Sequence, residues 1–255
     1  MNLHKTSIKR VLGVSFFIIA VLIGGGFIVK KYFFSHEAIT DREKADLPSA
    51  VALTKTKTVS SQVTKTTIPD EINFDVPFTS QAPNANWDRT HEEACEEAAI
   101  LMAERYFNKQ PITSADDAEA GLQEIIAWEN QNLGFFESTT TNETVRIIHK
   151  MFNLKAEIIT NPSVDEIKAA LADGKLVLVP AAGREIGNPF YTAPGPLYHM
   201  LLLKGYTKTQ FITNDAGTKR GENYPYNFKT ILDANHDWNG GDVARGAKKV
   251  IFVWK

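Results

Sequence analysis

Cys95 is the only cysteine in the chain, so it has no partner for an intramolecular disulfide and no companions for a multi-cysteine zinc cage. A lone thiol can still act as a nucleophile in its thiolate form, or simply fill space in a core. Thr90 is a residue type that caps helices, and Glu93 three positions on completes a capping-box pattern. That places Cys95 in the first turn of a helix running on to Tyr106 and Phe107, where the helix N-terminus favours the thiolate. Glu92, Glu93, Glu96 and Glu97 oppose it wherever their charges face the sulfur, so a cationic partner is required.

His199 is the candidate partner. It heads the apolar run Met200-Leu201-Leu202-Leu203, and the next apolar run, Phe211-Ile212-Thr213, ends in Asn214 and Asp215. Strands this close in sequence read as a hairpin, and a polar residue at each open end supplies a base and the group that orients it. Loop parity decides which of the two faces the imidazole. An odd loop, such as 206–208, sets Asp215 opposite His199, whereas an even one turns Asn214 to that face. Asp215 is preferred, because a carboxylate also stabilises the imidazolium needed beside a thiolate.

The run His91-Glu92-Glu93-Ala94-Cys95 imitates the zincin pattern, with Cys in the second ligand position. On one helix His91 and Cys95 would share a face one turn apart. Spacing marks out no third ligand, so no metal is expected, and His91 is expected at the surface near the helix start.

The elements that must carry these residues follow from periodicity. Further helices are expected at 114–130, 141–152 and 163–172, the last opened by Asn161-Pro162-Ser163 and stopped by Gly174. Short apolar runs at 176–179, 199–206, 210–214 and 250–254 read as strands, and 74–78 as a strand end feeding the turn-rich stretch 81–87. Helices first and sheet after give an α+β class. The turn-rich segment 183–196, just before His199, is long enough to line a cleft. Gly217 and Gly221 read as turn residues, since no glycine-rich strand-to-helix fingerprint surrounds them.

Upstream, residues 1–10 form a basic stub, and every residue of 11–29 is apolar, Gly or Ser. As a helix this stretch spans about 28 Å, the thickness of a bilayer core. Lys30, Lys31 and Tyr32 follow it instead of a small-residue cleavage site, which favours a retained transmembrane helix over a signal peptide. The charge bias favours a cytoplasmic N-terminus. Residues 30–71 read as a flexible Thr/Ser/Lys-rich tether, and 72–255 as the folded domain. Residues 1–69 carry 10 of the 28 basic and 4 of the 30 acidic residues. The remainder is acidic and repels polyanions, so nucleic acid is not an expected partner.

Val76-Pro77-Phe78 with Gln81 and a Trp, then Ala94-Cys95-Glu96-Glu97-Ala98-Ala99, then His199-Met200 leading to Gly205-Tyr206, and Asn214-Asp215-Ala216-Gly217-Thr218 together resemble the bacterial papain-like cysteine peptidases related to the double-glycine leader peptidases. The resemblance covers most of 72–255. It implies a papain-like domain with the Cys on an N-terminal helical half and His and Asp on a C-terminal antiparallel sheet. It also implies Cys95 as nucleophile, His199 as general base and later acid, Asp215 as the residue orienting the imidazole, and Gln81 with the Cys95 N–H as oxyanion donors. No metal or organic cofactor is implied, and the partner is a peptide or protein substrate. The chain departs from the pattern at Glu96, where many relatives have Gly, and at Ala216, where they have Pro.

The resulting expectation is a membrane-anchored, extracytoplasmic cysteine peptidase working through a thioester. Its rivals are an amidase or acyltransferase on cell-wall amides, a catalytically silent binding module of the same fold, and a cysteine-ligated zinc enzyme.

Overall fold

The computed structural model describes residue 44, residues 46–52 and residues 68–255. The basic stub and the transmembrane span expected at 11–29 lie outside the described residues. Among those described, no helix is long and apolar enough to cross a membrane.

A short strand, β1 (Ile72–Asn73), precedes four helices, α1 (Arg89–Glu92), α2 (Cys95–Asn108), α3 (Ala115–Asn132) and α4 (Thr141–Phe152). The caps explain their limits. Ser114 accepts from the Asp117 N–H to open α3, Thr140 and Glu143 form a complete capping box at α4, and Asn153 in the left-handed region ends α4. The capping box expected at Thr90 does not form. Asp88 caps instead, accepting from the His91 N–H, and the Glu93 N–H closes on Thr90 O, so the helix breaks before restarting at Cys95. The Asp88 carboxylate is the better acceptor and enters the turn two residues earlier. This break removes the helical basis of the zinc pattern, because His91 and Cys95 do not share a continuous helix. No group of three metal-ligating side chains occurs among the described residues.

The second half contains β2 (Lys155–Thr160), α5 (Val164–Ala172), β3 (Leu176–Ala182), α6 (Gly183–Ile186), β4 (Tyr198–Tyr206), β5 (Gln210–Asn214), β6 (Tyr224–Asn227), α7 (Phe228–Ala234) and β7 (Lys249–Trp254). The strands form an antiparallel sheet in the order β2-β7-β3-β4-β5-β6, with β1 added beside the far end of β4. The class is therefore α+β. Helices are not confined to the first half, however: α2, α3 and α4 cover one face of the sheet, while α5, α6 and α7 cover the other. Double coverage explains why 176–179 and 200–203 are unbroken apolar runs, since every residue of β3 and β4 is buried. The half-exposed edge strand β2 alternates instead, Glu157 outward and Ala156 inward.

The central helix α2 is buried from Cys95 through Glu104. Its small residues Ala98 and Ala99 bring it close to β4, and Ile100, Leu101 and Met102 each add about 1.5–3 kcal/mol of burial. Residues 46–52, inside the stretch read as a tether, lie against the domain. The Val51 N–H donates to Asn73 O at 2.8 Å, the Asp75 N–H to Val51 O at 3.0 Å, and Asn73 Nδ2 to Pro48 O at 2.8 Å.

Candidate active site

The register of the β4–β5 hairpin decides what faces His199. The last paired residues, Tyr206 and Phe211, enclose four residues, an even loop that by simple alternation turns Asn214 toward the histidine. One extra residue corrects this. Between the pairs Gly205↔Ile212 and Leu203↔Thr213, Lys204 is bulged out of the ladder, and the bulge inverts the parity of everything beyond it. Leu202 then pairs with Asn214, so Asp215 shares the face of Leu201 and His199. Asp215 reaches the ring diagonally, not from directly opposite, and the His199 Nε2 to Asp215 Oδ1 distance is 2.8 Å. Asn214, on the other face, donates to Val76 O and Pro77 O and accepts from the Asn223 N–H. It pins the strand end to the segment leading to Gln81.

Asp215 is wholly buried and surrounded by donors. Besides the imidazole, the Gly217 N–H donates to Oδ1, and Tyr226 Oη (2.6 Å), Tyr191 Oη (2.8 Å) and Asn188 Nδ2 (2.8 Å) all donate to Oδ2. Burial alone would raise its pKa, but the His199 charge and these hydrogen bonds outweigh it and hold the carboxyl below its usual range. Asn188 and Tyr191 lie in the loop expected to line a cleft. Tyr191 also sets its ring edge-on to the imidazole, with centroids 5.4 Å apart. Tyr226 carried no sequence signal, because nothing local ties a tyrosine in β6 to a carboxylate one strand away. Gly217 completes the cover: a Cβ there would meet Tyr191 Cε1 at 2.7 Å and His199 Cε1 at 3.0 Å. At Gly221 a Cβ would fall 1.7 Å from Asp215 O, so the turn closes there only without a side chain.

Cys95 is the first residue of α2, and its sulfur lies near the backbone N–H of Met200, the residue after His199. Helix start and strand start thus converge on one point. Asp215 occupies Nε2, and Nδ1 makes no hydrogen bond among the described residues. The sulfur and Glu96 Oε2 are in hydrogen-bond contact at 2.8 Å. Burial first, and then the neighbouring Glu96, push the thiol well above its usual range, so the resting group is the neutral thiol.

Of the four glutamates flanking the cysteine, Glu96 and Glu97 point inward. Glu96 Oε1 receives the Thr139 N–H at 2.7 Å, and burial next to Glu97 raises its carboxyl to about 8. Glu97 faces Glu129 of α3. None of their four oxygens meets a donor from another residue, yet the two groups are within hydrogen-bonding reach. The pair must share a proton, and both carboxyls are raised by burial, Glu129 to about 8.

Gln81 is held by its backbone, whose N–H donates to Ala216 O at 2.9 Å. Its Nε2 donates to His91 O at 2.8 Å and Glu92 O at 3.1 Å, so in this arrangement both amide hydrogens point at the α1 carbonyls. His91, expected at the surface, is buried. Its ring lies between Asp88 (2.7 Å) and Glu119 (2.9 Å). Burial disfavours its charge, but the two carboxylates outweigh burial and raise its pKa. Its role is to fix the short α1 turn whose carbonyls hold Gln81.

The Peptidase_C39 like family matches residues 73–240. Among solved structures, a C39-like peptidase from Bacillus anthracis is similar at 16% identity and a TM-score of 0.50, covering 73% of this chain and 98% of that one. Xylellain, a cysteine protease from Xylella fastidiosa, matches at 16% identity and a TM-score of 0.41, covering 86% and 95%. No curated protein matches. A family match that spans most of the folded domain, from the strand before Gln81 past Asp215, shows that the chain belongs to the peptidase C39-like family and is a papain-like cysteine peptidase.

Proposed function

We propose that this protein hydrolyses peptide bonds with Cys95 as nucleophile, His199 as general base and acid, and Asp215 as the group that orients and charges the imidazole. The observation that carries the reading is the buried 2.8 Å contact between His199 Nε2 and Asp215 Oδ1, one residue along β4 from the Met200 N–H that acts on the Cys95 sulfur. With Nε2 held by Asp215, the ring offers Nδ1 to the thiol. Transfer of the thiol proton to Nδ1 creates a thiolate and an imidazolium, and Asp215, already a carboxylate, stabilises the latter. The thiolate attacks the amide carbonyl, the imidazolium protonates the leaving amine, and water releases the thioester.

The Cys95 backbone N–H, at the start of α2, is the proposed backbone donor to the oxyanion. Gln81 is its proposed side-chain companion; to serve, Nε2 exchanges its longer bond, to Glu92 O, for the oxyanion. The apolar run 11–29 further supports a single-pass anchor with the domain outside the cytoplasm.

The test is hydrolysis of a peptide library, run beside peptidoglycan fragments and read by mass spectrometry, for the full chain and for Cys95→Ala and His199→Ala. Turnover of peptides should fall by about three orders of magnitude or more in both variants. Unchanged turnover in either overturns the assignment, and cleavage confined to cell-wall fragments replaces the peptidase reading with an amidase. Carbonate-resistant recovery in membranes checks the anchor.

A further inference from the structure

We propose that Glu96 is a further catalytic residue, whose neutral carboxyl donates a hydrogen bond from Oε2 to the Cys95 sulfur and stabilises the attacking thiolate. The proposal rests on Cys95 being the nucleophile, as argued above. Glu96 is 1% exposed, and its two oxygens are separately engaged. Oε1 is held by the Thr139 N–H at 2.7 Å, and Oε2 stands 2.8 Å from the sulfur. At that distance, away from water, carboxylate and thiolate cannot both be charged, so one proton always lies between them.

The surroundings decide where that proton stays. The groups that interact with Glu96 are Cys95 and Glu97 of α2, Glu129 of α3 and Tyr198 of β4, and Tyr198 also feels Glu143 and Asp237. Asp237 is already paired with Lys249 at 2.8 Å, and His199, beside Tyr198, is engaged by Asp215 at 2.8 Å. Acids thus dominate around Glu96, which keeps the carboxyl protonated through neutral pH.

The step balances without another reactant. Cys95 passes its proton to His199 Nδ1, while Glu96 keeps its own and points it at the sulfur. The sulfur lone pair forms the C–S bond as the carbonyl π pair moves to oxygen. The C–N bond then breaks, and Nδ1–H protonates the amine. When water later expels the sulfur, the same O–H stabilises the departing thiolate. Once Glu96 ionises, the hydrogen bond reverses, the thiol donates to the carboxylate, and thiolate formation is suppressed.

The experiment compares pH profiles of kcat/KM for the full chain in detergent, with a cleaved library peptide as substrate, in the wild type, Glu96→Gln and Glu96→Leu. Iodoacetamide labelling of Cys95 at pH 7 runs in parallel. Gln retains an N–H donor but cannot ionise, so it should keep activity near pH 7 and lose the alkaline fall near pH 8. Leu should reduce both kcat/KM and the labelling rate about 10- to 100-fold at pH 7. Wild-type activity in the Leu variant, or an unaltered alkaline limb in the Gln variant, overturns the proposal. If the Leu variant fails to fold, the Gln profile decides. If the wild type cleaves no peptide while labelling still depends on residue 96, the peptidase reading fails and the Glu96–sulfur coupling stands.

Discussion

Asp215 and Glu96 are equally withdrawn from water, 0% and 1% exposed, yet burial leaves one ionised and the other protonated. Asp215 receives five hydrogen bonds, one from an imidazole that can carry charge. Glu96 has a backbone N–H and an acidic neighbourhood, and the Glu97–Glu129 pair has nothing but each other. The difference shows that donors around a carboxyl, not its depth, set its charge. In the proposed active centre the two outcomes stand side by side, a negative charge behind the imidazole and protons behind the sulfur.

Asp215→Ala breaks the comparison most severely. It strands the side-chain donors Asn188, Tyr191 and Tyr226 and releases the ring. A loss in kcat of about 10³- to 10⁴-fold and a stability loss of about 3–5 kcal/mol in urea unfolding are expected. Full activity would show that the carboxylate does not orient His199.

Tyr226→Phe sharpens the comparison by removing one donor to the carboxylate, the 2.6 Å bond, and should cost about 1.5–3 kcal/mol near neutral pH. Because the folded pKa of Asp215 lies below its ordinary value, the stabilisation is complete above that value, near 4, and is lost as pH falls through the folded pKa. The gap between variant and wild type should close across that same range. A gap independent of pH would mean that the hydroxyl serves packing alone.

Glu129→Gln probes the opposite environment and has the smallest expected effect. A carboxyl raised from 4.5 to about 8 contributes full stability below pH 4.5 and loses it progressively as pH climbs to about 8. The neutral amide does not titrate. The variant's Tm should match the wild type's at pH 4.5 and exceed it at pH 8 by about 2–4 °C for each kcal/mol relieved. A constant difference across that range would mean that the pair is not a shared-proton pair.

Several of these features can be read from residue order. Ser114 and Ser163 as caps, Gly174 as a stop and the unbroken apolar runs locate α3, α5, β3 and β4 because each signal acts within a few residues. The break before Cys95 is less legible: Thr90-x-x-Glu93 and Asp88-x-x-His91 are competing caps within one short stretch, and only the folded turn shows that Asp88 prevails. The alternating strand β2 and the strand β6 were missed, the former because an edge strand facing water lacks a long apolar run.

Residue order alone determines the acidic character of the domain, the single thiol, the start of a helix near it, and a histidine and a carboxylate at the ends of neighbouring strands. The choice of Asp215 over Asn214 depended on a one-residue bulge at Lys204, and bulges arise from packing across strands, not from any local code. The inward turn of Glu96 and Glu97, and the donors that converge on Asp215 from β6 and the loop before β4, join residues distant in the chain. Their protonation follows from that convergence, because a carboxyl's charge depends on the donors and charges packed around it, and only the folded chain brings those together.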